Sequence, residues 1–265
     1  MNATPWHWSY CTPGPYCLAV VVFHLLNHFF FFTAKPPDYG ITTTPSPCYR
    51  PLDIVFVLAR SASDAVWDAI KKFAIDVTRS IPIGTNGARY GAVTFGSTPQ
   101  SQFFLNSFSD QPGLVGGLSS MDHPNTYMGT GILEALRLLL SEQFIRRNGD
   151  RLVACNVAII VIDCYAYLDG NDTEFKAITA EFKSKSISLV PVGVDAGHNQ
   201  AHLLHVLELL SRPPKTRDVS YFLAEKLTDL KIYIPSLTLY ICSVCCEPPT
   251  QPPLRGKSIY SLVKC

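Results

Sequence analysis

The chain is short of charge and of any bias in its sign. Only 16% of its 265 residues are Asp, Glu, Lys or Arg, and 22 basic against 21 acidic side chains leave a formal net charge of +1. It has no basic run interleaved with aromatics that could track a phosphate backbone, which argues against nucleic acid as a partner. Catalytic signatures are missing as well: there is no G-x-S-x-G turn to expose a serine nucleophile and no G-x-G-x-x-G loop to cradle a dinucleotide. No internal repeat recurs at periods of about 20 to 50 residues. Apolar and aromatic residues, by contrast, are plentiful. With 15 Phe, 12 Tyr and a mean hydropathy of +0.15, the chain cannot be a disordered one. Its length admits one sizeable domain plus tails.

Composition shifts at both ends. Residues 17–34, CLAVVVFHLLNHFFFFTA, are apolar enough for a signal-peptide core or a marginal membrane span. His24, Asn27 and His28 interrupt the run, no Lys or Arg precedes it, and Phe32 stands where a small residue is wanted before cleavage. Lys35 follows the run, so a span would leave the domain in the cytoplasm. That conflicts with nine cysteines, more than an ordinary cytosolic enzyme carries. A cleaved signal and secretion to the extracellular matrix are therefore expected, with a membrane anchor as the alternative. The expected organisation is a signal-like or anchor segment at 1–34, a Pro/Thr-rich linker at 35–52, one ordered domain at 53–240, and a Cys/Pro-rich tail at 241–265.

Within the domain, strands alternate with helices. Asp53 to Ala59 (DIVFVLA) is a short apolar β-branched run, and Val66, Ile70, Phe73 and Val77 follow at helical spacing. Arg89 to Phe95 and Ser101 to Phe108 read as a hairpin pair, and Gly131 to Ile145 as one long helix. Val157 to Asp163 (VAIIVID) and Ile187 to Val194 (ISLVPVGV) are apolar throughout, as strands covered on both faces must be. Helices are expected at Thr173 to Ser184, Ala201 to Leu210 and Ala224 to Ile232, with a last strand near Val219 to Phe222. The pattern predicts a doubly wound α/β domain: a mostly parallel sheet, one antiparallel edge strand, and helices on both faces. Such sheets bind ligands in the loops at the carboxyl ends of their strands.

LARSAS at 58–63, RYGAVTF at 89–95, NTYMGTGILEAL at 125–136 and AIIVIDC at 158–164 come in the order and at the distances of a von Willebrand factor type A domain. The resemblance spans about residues 50–235 and is closest in wording to the A domains of matrilins and collagen VI chains, which are extracellular matrix proteins. It implies a binding module, not an enzyme. The family's metal-ion-dependent adhesion site uses D-x-S-x-S, a threonine and a distal aspartate. Ser61 and Ser63 match the serines, Thr126 matches the threonine under one alignment, and Asp163 matches the last aspartate. Thr130 also precedes a glycine, and Met128 takes the threonine position under a shorter alignment. Ala59 stands where the first aspartate belongs, and Arg60 beside it opposes a cation. Mg²⁺ wants six oxygens in an octahedron, so the expectation is a degenerate site and no cofactor. The ligand-binding face is then assigned to Arg60, Ser61, Ser63, Thr126, Tyr127, Asp163 and Tyr165. Its partner is expected to be a matrix or cell-surface protein. A helix N-cap explains Ser63 without any metal.

The remaining motifs are weaker. His198, His202 and His205 share a helical face, but Asn199 stands where a metalloprotease needs Glu. Both ends of a domain of this kind emerge together, so Cys48 is expected to bridge to Cys242, Cys245 or Cys246. Cys155 and Cys164 lie at opposite ends of a strand and cannot pair with each other, and Cys155 reads as a small buried hydrophobe. Asn171-Asp172-Thr173 is an N-glycosylation sequon. The alternative function is a disulfide-crosslinked assembly unit of a matrix polymer.

Overall fold

A strand buried at every position belongs in the middle of a sheet covered on both sides, and β1 (Leu52–Ala59) is such a strand. The computed structural model describes residues 48, 50–60, 63–96, 98–122, 131–163, 170–195, 200–213, 215 and 217–246. After β1 come α1 (Asp64–Ser80), β2 (Ala88–Phe95), β3 (Gln100–Phe103), α2 (Gln111–Ser119) and α3 (Ile132–Leu138). They are followed by β4 (Cys155–Asp163), α4 (Asp172–Ser184), β5 (Ile187–Val194), α5 (Gln200–Leu210), β6 (Phe222–Ala224) and α6 (Ile234–Cys246). The strand order is β3-β2-β1-β4-β5-β6, and only the β2–β3 pair is antiparallel. This is the doubly wound α/β sheet the sequence predicts.

Alternation along β1 divides the interior in two. Leu52, Ile54, Phe56 and Leu58 face α1, α2 and α6, packing with Trp67, Phe73, Leu114, Leu237 and Ile241. Val55, Val57 and Ala59 face α3, α4 and α5, packing with Leu136, Phe175, Phe182, Leu203 and Leu207. Each such large side chain contributes about 1.5–3 kcal/mol on burial.

Several elements differ from their sequence reading. The third strand ends at Phe103, and the chain then forms α2, a helix whose Gly-rich sequence (QPGLVGGLS) hides its periodicity. Asp110 caps α2 by accepting a bond from the Gly113 amide at 2.8 Å. The expected long helix at 131–145 is α3 followed by a π turn, Leu139–Gln143, and a 3₁₀ turn, Arg146–Asn148. Gln143 accompanies that break: it is fully buried and donates from Nε2 to Ser101 Oγ at 3.2 Å and to the Phe103 carbonyl at 3.4 Å. Gly91 makes room for it, because a Cβ there would sit 2.4 Å from Gln143 Oε1. Near the end, the last strand is Phe222–Ala224 and a 3₁₀ turn occupies Leu227–Tyr233. The final helix begins later than expected and runs on to Cys246, beyond residue 240.

Two bridges and one ion pair hold the pole where the parallel strands begin. Cys48 pairs with Cys242, their Cα atoms 5.0 Å apart. Cys155 pairs with Cys245 at a Cα separation of 5.6 Å. The second pairing corrects the reading of Cys155 as an unbridged hydrophobe: it opens β4, and α6 extends far enough to bring Cys245 to it. Asp53, fully buried, accepts from the Arg151 amide at 2.6 Å and from Arg151 Nε at 2.8 Å. The same guanidinium donates to the carbonyls of Leu52, Thr85 and Gly87, joining the starts of β1 and β2. Burial pushes the Asp53 carboxyl above its ordinary value, with the Arg151 contacts opposing that rise.

Candidate ligand-binding face

Parallel pairing brings the carboxyl ends of β1, β4 and β5 to one edge, because β1 register pairs Leu58 with Val161 and β5 register pairs Val194 with Asp163. Of the residues assigned to the face, Arg60, Ser63 and Asp163 are described. Ser61, Thr126, Tyr127 and Tyr165 lie outside the described residues, as do Cys164, Met128 and Thr130.

Ala59 closes β1 with its methyl group packed in the α3–α5 side of the core, only 4% exposed. Beyond it, the Arg60 amide donates to the Phe95 carbonyl at 2.6 Å, which ties the loop to the end of β2. Gly96 lets the two chains lie this close, since a Cβ on it would meet Arg60 Cβ at 3.1 Å. Arg60 Nε is buried and has no hydrogen-bond partner among the described residues. Ser63 occupies the N-cap position of α1, yet its hydroxyl makes no capping bond to the helix. The N-cap reading therefore does not account for that side chain. Asp163 ends β4 at 1% exposure.

The chain offers no side-chain oxygen at the first position of the family's adhesion motif. A hard divalent ion needs oxygens on several sides, and the first position of the motif offers a buried methyl group. Among the described residues no cluster of three His, Cys, Asp or Glu side chains could hold a metal. His205 instead meets Asp172 of α4, Nε2 to Oδ1 at 3.1 Å, while His198 lies outside the described residues. Asn171, beside the face, is the exposed N-cap of α4. Its Oδ1 accepts from the Thr173 and Glu174 amides at 2.9 and 3.1 Å, and Glu174 answers the Asn171 amide at 3.0 Å. Residue spacing did not reveal the Cys155–Cys245 bridge, since nothing in the strand pattern marks a cysteine at a strand start as paired.

The family model for the von Willebrand factor type A domain matches residues 53–233. The chain belongs to this family. Mouse matrilin-3 is 27% identical over 177 residues, covering 65% of this chain and 34% of that protein. The mouse collagen α6(VI) chain is 30% identical over 173 residues, covering 62% of this chain and 7% of that one. The chain thus spans about a third or less of the length of these relatives. Among solved structures, proximal thread matrix protein 1 from the mussel byssus, with a zinc-occupied adhesion motif, superposes with a TM-score of 0.62. It is 16% identical, and the match covers 74% of this chain and 49% of that one, so the likeness carries the type A fold alone. Among the described residues, no helix is long and apolar enough to cross a membrane.

Proposed function

We propose that this type A domain is a secreted matrix-interaction module, a binding unit rather than a catalyst. It engages a matrix or cell-surface protein through the loops at the carboxyl ends of its strands, without a cation. The observation that carries the reading is the buried methyl group of Ala59 at the first position of the adhesion motif. Arg60, Tyr127 and Tyr165 supply the contacts, because Arg and aromatic residues dominate protein interfaces. Asn171 carries an N-linked glycan at the margin of the face, its capping oxygen and its glycosylated nitrogen being different atoms.

Isothermal titration of the secreted chain with Mg²⁺ and Mn²⁺ tests the metal-free reading. The expected result is no saturable heat in the micromolar range, and the appearance of such heat in Ala59→Asp, where Ser61, Ser63, Thr126 and Asp163 regain their missing carboxylate. Saturable binding by the natural sequence overturns it.

A second reading, covalent assembly into a matrix polymer, is favoured by the cysteine count. The two bridges take four of nine cysteines and leave an odd number. Removal of residues 1–34 takes Cys11 and Cys17 and leaves the number odd still, so at least one thiol has no partner within the chain.

A further inference from the structure

The chain enters and leaves the domain at one pole, and a covalent bond joins the two points. Cys48 stands just before β1, Cys242 lies in the last turn of α6, and their Cα atoms are 5.0 Å apart. The sequence between them, a separation of 194 positions, hangs from this bridge as a closed loop. Cys155–Cys245 closes a second loop that overlaps the first, from the start of β4 to the end of α6. Cys48 is 5% and Cys245 2% exposed, so each bridge has one cysteine sheltered from a thiolate in solvent. Arg50 adds a non-covalent tie, donating from Nη1 to the Cys245 carbonyl at 3.2 Å.

The contacts beneath the bridges are poorly placed to resist a pull. Opposed forces on the two ends part them at the pole where β1 starts. Without the bridges, that load meets the Asp53–Arg151 pair and the Leu52 pairings with Ala88 and Cys155 first, then opens β1 from its beginning. Hydrogen bonds loaded one after another give way singly, whereas bonds loaded together share the force.

We propose that the domain is a tension-bearing link: load passing along the chain crosses through Cys48–Cys242 and the last turn of α6, and the sheet with its strand-end loops carries none of it. Cys155–Cys245 is a second stop. With Cys48–Cys242 absent, load runs through β1, α1, β2, β3, α2 and α3 and then crosses Cys155–Cys245, leaving β4, α4, β5, α5 and β6 in a closed loop off its path. Arg60, at the end of β1, belongs to the part that unravels, so the bridge at Cys48 keeps the proposed binding face in place while the chain is pulled. The inference rests on the secreted matrix reading for the source of the load and adds a mechanical role to it.

The test holds the full chain secreted from eukaryotic cells by enzymatically attached handles at its two ends and stretches it in optical tweezers under non-reducing conditions. The natural chain should release no step beyond the few residues of α6 that follow Cys242. Cys155→Ala with Cys245→Ala should behave alike, although it is less stable. Cys48→Ala with Cys242→Ala should gain roughly 110 residues, about 350–390 Å of extended chain, and stop there. Replacing all four cysteines should gain about 640–700 Å, the length of the 194-position loop. The covalent path alone sets these limits, so a variant that starts unfolded still reports them. A natural chain that lengthens by either amount overturns the proposal. A Cys48→Ala, Cys242→Ala variant that runs on to the full length overturns the second stop. No partner or cation enters the experiment, so its failure leaves the binding reading standing.

Discussion

Removing the Cys155–Cys245 bridge, as Cys155→Ala with Cys245→Ala, should lower stability by roughly 4 kcal/mol. The magnitude follows from topology. The two residues are 90 positions apart, and a lone crosslink of that span constrains the unfolded chain by about 4–5 kcal/mol in the chain-entropy model. The loop overlaps the one closed by Cys48–Cys242, which spans 194 positions, so this bridge acts on a chain already partly closed and its share falls somewhat. Loss of the buried Cys245 sulfur adds a small packing cost. For a domain of this size each kcal/mol moves the midpoint by about 2–4 °C, so the variant should melt about 8–16 °C lower. Thermal and urea unfolding, followed by circular dichroism under non-reducing conditions, read the effect. A variant that melts within about 2 °C of the natural chain contradicts a stabilising bridge, as do free thiols on both residues of the native protein.

Other expectations concern the ion pair, the helix cap and the packed glutamine. Arg151→Ala should destabilise by about 3–5 kcal/mol at neutral pH, because it strands the buried Asp53 carboxylate. The folded-state carboxyl of Asp53 is already raised, so its contribution is greatest at low pH and is lost as pH rises through that raised value. The gap between Arg151→Ala and the natural chain should therefore narrow on acidification, and a gap constant from neutral pH to the carboxylate range contradicts the assignment. Asn171→Asp should abolish the glycosidase-sensitive mobility shift yet keep the α4 cap. Asn171→Ala should lose both and cost about 1 kcal/mol, read by urea unfolding of deglycosylated protein. Gly91→Ala should be destabilising, since its Cβ has no space beside Gln143, and pairing it with Gln143→Ala should recover part of the loss in a double-mutant cycle.

The sheet was legible because the apolar runs of β1, β4 and β5 are too short and too β-branched for helices, and because they alternate with helical periodicity. The elements misread are those where local pattern and tertiary demand disagree. Four turns of apparent helix after Gly131 break where buried Gln143 reaches Ser101 and Phe103, partners about 40 residues away in sequence. Helix α2 has too many glycines to announce itself and depends on Asp110 and on burial of Leu114 and Leu118. At the site, Ala59, Ser63 and Asp163 were found by their motif positions. The spatial relation of strand ends comes from the sheet register, and the close approach of Gly96 to the Arg60 backbone and Cβ comes from the pairing of the two strand ends. Neither is written in residue spacing.

Binding through the strand-end loops without a cation is read by retention of matrix extract on the immobilised secreted chain in chelator and in excess Mg²⁺. Equal retention of the same partner in both is expected, and its loss in the Arg60→Ala, Tyr127→Ala, Tyr165→Ala triple variant. Retention that disappears with chelator and returns with Mg²⁺ contradicts it.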